Sequence, residues 1–393
     1  MLSYPDYDRC LINIISSIKN YYRSPFEYPT LPIIDTELKK FYKNVVLVVL
    51  DGLGTDMLVK NLDKQDFLRK NCTGNITSVF PSTTVSAITS YYSGLSPNEH
   101  AWLGWSLYFR EFNHTIDVFR NVDSYIKTPV AQLNVAEFVM PYETIYYDIK
   151  HSAIGNVQPF TVSQKNVKIA ENGNYHKTTD NFDKACETVR LICDSNQNTF
   201  TFFQWSSPDD VAHRYGCYAE QTKECIKEIN DKLEKLFNSL KDTLFIISSD
   251  HGMIDIEEEI LLHQIPELVE CLVIPPFCES RAMSFYVKYD KRADFERIFT
   301  SRFSSDFILM SKRDIISKEL LGRGKTHPKT LDFIGDYMAV AIGDKVLRYR
   351  TLNTKPKPMN PANHGGITDK EMDIPLIIAK TEQTTKPKFF KLF

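Results

Sequence analysis

The chain has 393 residues, of which 42% are hydrophobic and 25% charged, with a formal net charge of −3. That balance is ordinary for a globular protein and removes the electrostatic case for binding a nucleic acid polymer or an anionic membrane surface. The length exceeds the ~250–300 residues at which one hydrophobic core stops growing, so one large domain carrying a smaller one is expected.

The first residues, "MLSYPDYDRCLINIISSIKNYY", put acidic and polar groups where a secretory signal would carry its basic and apolar regions. No apolar run reaches the ~18 residues of a spanning helix. Eight cysteines are scattered without a CxxC pair, which suits reduced thiols. A cytoplasmic, soluble protein is expected, and the sequons at Asn71, Asn75 and Asn113 are then chance matches.

The first strand signal is "NVVLVVL", Asn44–Leu50, a run without period-two alternation that reads as buried on both faces and ends on Asp51. "FPSTTVSAITSYYSG" follows, a set of hydroxyl residues leading into a helical pattern, where Ser82, Thr83 or Thr84 could cap the helix or act as a nucleophile. "AWLGWSLYF" contains Trp102, Trp105, Tyr108 and Phe109, either core or an apolar wall for a leaving group. "NFDKACETVRLIC" and "ECIKEINDKLEKLFNSL" carry helical stripes, and between them lies the strand "FTFFQW", followed by Asp209 and His213. "TLFIIS", Thr243–Ser248, precedes Asp250 and His251.

From about Pro275 to Thr326 the pattern changes to strand, helix and short strand, which reads as a small α/β cap over 275–327, with 1–274 and 328–393 forming the core. "YMAVAIG", Tyr337–Gly343, is expected to return to the main sheet. "NHGGIT" supplies His364 before a last strand, Ile374–Ala379. Strands alternating with amphipathic helices predict an α/β fold with a mainly parallel central sheet covered on both faces. Ligands in such sheets gather at the carboxyl ends of the strands, and three of these strands end in aspartate or aspartate with histidine.

Asp51, Asp209, His213, Asp250, His251 and His364 are of the types that hold zinc, with manganese an option, and six exceed the needs of one tetrahedral ion. They suit two divalent ions clamping a phosphoryl group. "VLVVLDGLG", "FPSTTVSAITSYYSGLSPNEHAWLG", "PDDVAHRYG", "SSDHGM" and "NHGGIT", in this order, resemble the alkaline phosphatase superfamily, most closely its nucleotide pyrophosphatase/phosphodiesterase branch. The resemblance runs from about Asn44 to Ala379 apart from the insertion. It implies that Asp51, Asp250, His251 and the nucleophile hold one zinc, and Asp209, His213 and His364 the other. It also selects Thr84 as the nucleophile, implying a phosphothreonine intermediate that water then hydrolyses. The implied substrate is a small phosphate ester or anhydride.

Trp105 stands near the position where the branch has an asparagine donor to a phosphoryl oxygen. The aromatic wall of Trp102 and Trp105 is a candidate substrate surface instead. Arg281, Arg323, Lys325 and His327 cluster near the insertion and could bring cations over a phosphate, Arg323 and Lys325 being the candidates for substrate contact. His100 reads as structural. No arginine lies within "STTVSAITS" to hold extra phosphate charge, which favours diesters over monoesters, and no CxPxR or CxAxR segment supports a sulfatase. A phosphomonoesterase or manganese-dependent phosphomutase would use the same sheet, and a catalytically silent phospho-ligand binder would have no need of Thr84.

Overall fold

The computed structural model describes residues 1–152, 157–164, 175–351 and 358–383. Its central sheet has seven strands, in the order Cys72–Thr77, Asp373–Lys380, Thr243–Ser248, Asn44–Leu50, Asn198–Trp205, Val157–Ser163, Tyr175–Thr178. Asn44–Leu50 pairs in parallel with both Asn198–Trp205 and Thr243–Ser248, and only Asp373–Lys380 runs against its neighbours. The expected α/β fold with a mainly parallel sheet is what is observed.

The three apolar runs lack alternation because both faces of the sheet are buried. Val45, Leu47, Val49, Phe200, Phe202, Leu244 and Ile246 face one core with the helices Leu11–Tyr21, Thr84–Ser93 and Ile145–Lys150. Val46, Val48, Leu50, Phe203, Phe245 and Ile247 face the other, against the helices Phe182–Asp194 and Glu220–Asn238. Ile226, Ile229, Leu233 and Leu236 of the latter helix are buried, as its 3.6-residue stripe requires. Each core therefore draws on alternate residues of the same strands.

A second sheet, also of seven strands, lies apart from the first. Its order is Phe307–Ser311, Tyr337–Ala341, Ala282–Phe285, Phe277–Cys278, Ser106–Phe109, His114–Asp117, Val122–Asp123. Tyr337–Ala341 does not rejoin the main sheet: it pairs antiparallel with both Ala282–Phe285 and Phe307–Ser311. The strands read as an insertion thus share hydrogen bonds with residues on either side of it. Phe109 packs on Phe333, and Phe285 on Phe295 and Phe299 of the helix Arg292–Phe303. All eight cysteines are free, and among the described residues no helix is long and apolar enough to cross a membrane.

Candidate active site

The carboxyl ends of the adjacent strands Asn44–Leu50 and Asn198–Trp205 are stitched to each other. The Asp51 N–H donates to the Trp205 carbonyl at 2.9 Å, and the Asp209 N–H to the Asp51 carbonyl at 3.0 Å. Gly52, at φ +75°, allows this approach, since a Cβ there would lie 2.8 Å from Asp209 Cβ. Gly252 opens the next turn: a Cβ on it would fall 2.0 Å from the Lys370 carbonyl oxygen. Backbone crowding explains the glycine that follows each of these acidic turns.

Thr84 is the first residue of the helix Thr84–Ser93. Its Oγ1 lies 3.4 Å from Asp51 Oδ1 and 3.2 Å from His251 Nε2. His251 Nε2 is in turn 3.4 Å from Asp51 Oδ1 and 3.3 Å from Asp250 Oδ2. On the other side, Asp209 Oδ1 is 3.4 Å from His213 Nε2 and 3.7 Å from His364 Nε2. All six candidate ligands and Thr84 therefore gather at one place. Asp51, Asp250, His251 and His364 are buried, while Thr84, Asp209 and His213 are partly exposed at the opening.

Two features fit divalent cations here. Each histidine has its Nδ1 against a backbone carbonyl: His251 on Gly252 at 3.0 Å, His213 on Ala362 at 2.8 Å, His364 on Ser82 at 3.1 Å. A carbonyl only accepts, so each Nδ1 carries the proton and each Nε2 turns a lone pair toward the carboxylates. Lone pairs then face lone pairs, an arrangement that a cation between them resolves. In addition, Asp209 Oδ1 and Asp250 Oδ2 are buried without a hydrogen-bond partner among the described residues. Ligand atoms converge in two overlapping groups, Asp51–Asp250–His251 and Asp209–His251–His364.

The electrostatics agree. Burial, then Asp250 and Asp209, holds the Asp51 carboxyl well above its ordinary range, and burial likewise raises Asp209. Burial, then His251 and His213, depresses the His364 imidazole.

The other expected residues have surroundings of their own. Trp102 is core, its Nε1 donating to the Met140 carbonyl at 2.9 Å. Trp105 lies partly buried with the Arg120 guanidinium over its ring. Tyr108 packs on Phe277 and Tyr286, and Phe109 is core. The Arg323 guanidinium pairs with Asp8 and Glu319, Lys325 is exposed, and His327 caps the helix Pro328–Ile334. Charge and aromaticity in a linear string do not reveal which partner satisfies them. His100 is buried between Ser90 and the Trp102 N–H.

Arg281 is no lid residue. It is fully buried, with its Nε 2.6 Å from Glu371 Oε1 and its terminal nitrogens on the carbonyls of Lys345 and Gly343. Glu371 also accepts from the Gly366 N–H at 2.8 Å and from Thr368, while its carbonyl accepts from the Gly252 N–H. This ion pair braces the loops that carry His251 and His364. A residue absent from the sequence expectations is Glu279, whose Oε1 accepts from Thr83 Oγ1 at 2.9 Å and from the Trp105 N–H at 2.6 Å. Burial pushes its carboxyl up to about 7.

The chain was compared with known proteins. No curated protein sequence matches it. Among solved structures, murine ectonucleotide pyrophosphatase/phosphodiesterase 5, as an inactive variant with AMP, superposes with TM-score 0.63 at 17% identity, covering 88% of this chain and 92% of that one. Its human counterpart gives 0.64 at 17%, covering 86% and 90%. Phosphonoacetate hydrolase from Sinorhizobium meliloti 1021, with phosphonoacetate, gives 0.61 at 14%, covering 86% and 89%. At these identities the likeness is one of fold. The family model of type I phosphodiesterase/nucleotide pyrophosphatase matches residues 45–333. With strand ends that gather aspartate, histidine and a helix-start threonine, and with that match over most of its length, the chain belongs to the type I phosphodiesterase/nucleotide pyrophosphatase family of the alkaline phosphatase superfamily.

Proposed function

We infer that this protein hydrolyses small phosphate diesters or pyrophosphates through a covalent intermediate on Thr84. Asp51, Asp250, His251 and Thr84 would hold one divalent ion, and Asp209, His213 and His364 the other, with zinc the first choice and manganese the second. Bound cations of this kind lower the pKa of the threonine hydroxyl and balance charge on the phosphoryl oxygens.

Thr84 Oγ1 attacks phosphorus, the bond to the leaving oxygen breaks, and the phosphoryl group is carried on the threonine. The free N–H groups at the start of the helix Thr84–Ser93 face the developing negative charge. Water then cleaves the phosphothreonine and restores the hydroxyl. The observation that carries the reading is the placement of Thr84 Oγ1 3.2 Å from His251 Nε2, beside carboxylate oxygens that lack protein partners.

The AMP complex of the murine relative makes nucleotide diesters and dinucleotides the first substrates to assay, with phosphonoacetate, from the bacterial relative, as a separate arm. No nucleic acid polymer or membrane partner is proposed. The free thiols fit a reducing, cytoplasmic setting. The test is hydrolysis of bis-p-nitrophenyl phosphate with added zinc or manganese. Thr84→Ala should lose ~10³-fold or more in kcat while staying folded; full activity in that variant would remove the reading.

A further inference from the structure

Glu279 lines a cavity of about 770 Å³ and also holds Thr83, the neighbour of Thr84. Lys127, Arg348 and Arg350 line the same cavity. Glu279 borders the reacting centre from two directions. Its Oε1 is held by the hydroxyl of Thr83, the residue before Thr84, and a Cβ on Gly365, the residue after His364, would lie 3.5 Å from Glu279 Cβ. A Cβ on Gly104 would meet Glu279 Cγ at 3.1 Å and Oε1 at 3.2 Å, so the absence of a side chain at 104 gives the carboxylate its room.

Both recorded bonds fall on one oxygen. Thr83 Oγ1 and the Trp105 N–H share Oε1, and among the described residues no hydrogen bond engages Oε2. Thr83 is diverted from capping its own helix to make this contact. The carboxylate is therefore pinned through one oxygen, with the other unengaged and the residue partly exposed. Pinning of this kind keeps a charge at a defined place, the requirement for discriminating among ligands by charge.

We propose that Glu279 is a specificity-determining residue, which excludes dianionic phosphate monoesters and admits monoanionic diesters by setting a fixed negative charge beside the phosphoryl site. The proposal rests on the phosphoryl-hydrolase reading above. A monoester presents a second negative charge that this carboxylate repels, whereas a diester has covered that oxygen with its second, non-leaving substituent. The cavity that Glu279 lines gives the diester's second substituent a place to lie. A residue that only braced Thr83 and Trp105 would show no preference among phosphate charge states.

The experiment compares wild type with Glu279→Gln at pH 9, where the carboxyl is ionised, using zinc-loaded protein. Glutamine keeps the length of the side chain and an oxygen that accepts from Thr83 and Trp105. The ratio of kcat/KM for p-nitrophenyl phosphate to that for bis-p-nitrophenyl phosphate should rise about tenfold, the effect of ~1.4 kcal/mol of removed repulsion. Calorimetric binding of inorganic phosphate, a dianion at this pH, should tighten by a similar factor. An unchanged ratio together with unchanged phosphate affinity, in a folded variant with wild-type metal content, overturns the assignment. Should wild type hydrolyse neither ester, the functional reading falls, and the phosphate-binding comparison still decides the role of Glu279: tighter binding in the variant supports it and equal binding overturns it.

Discussion

His251 and His364 lie face to face, their ring centroids 3.8 Å apart and their planes 17° from parallel. His251 belongs to both groups of converging ligand atoms, whereas His364 belongs to one.

The asymmetry sets the expected metal content of variants. His251→Ala should lose the ion it would hold with Asp51 and Asp250 and loosen the other as well, whereas His364→Ala or His213→Ala should lose one and leave the other in place. Elemental analysis of desalted protein measures this directly. Equal losses from His251→Ala and His364→Ala would show that the two groups do not share a ligand.

Metal removal should destabilise the chain more as pH rises. Asp51 and Asp209 are held above their ordinary value of 3.8 in the folded chain, so from that pH up to their raised values the folded state keeps protons that the unfolded state has released. Stability of the stripped protein therefore falls as pH increases through this window. Cations oppose this by favouring the ionised carboxylates. The difference in Tm between zinc-loaded and chelator-treated protein should widen from pH 5 to pH 8; a constant or narrowing difference contradicts the reasoning.

Arg281 and Glu371 form an ion pair with both side chains fully buried. Removing either partner leaves a buried charge alone, so Arg281→Met or Glu371→Gln should each cost ~3–5 kcal/mol by urea unfolding, whereas the apolar double variant Arg281→Met with Glu371→Leu should cost less than the sum. Strict additivity would show that the two side chains do not act as a unit.

His364 precedes the last strand instead of following one, but the strands Asn44–Leu50, Asn198–Trp205 and Thr243–Ser248 and the acids just beyond their ends, Asp51, Asp209 and Asp250, were legible, because parallel strands bring such positions to one edge. The second sheet was not. Its strands Ser106–Phe109, Ala282–Phe285 and Tyr337–Ala341 come from distant segments, and a short run such as "YMAVA", buried throughout, reads the same in either sheet. The helix Leu11–Tyr21 gave no expectation, although Leu11, Ile12, Ile14, Ile15 and Ile18 proved to be core. Arg281 and Glu279 were misjudged or passed over for the same reason. Their partners Glu371, Thr83 and Trp105 are supplied by the fold, and a charged residue's spacing along the chain says nothing about contacts made from another sheet.

The bracing of the two loops that carry the candidate ligands His251 and His364, by an arginine beside the second sheet, constrains how this protein can be recombined with its relatives. A chimaera that imports the segment around Arg281 without a matching acid at Glu371 would inherit an orphaned cation next to the histidine loops, and its defect would surface as weak zinc retention far from the splice. Crossover points should be chosen so that the two residues travel together.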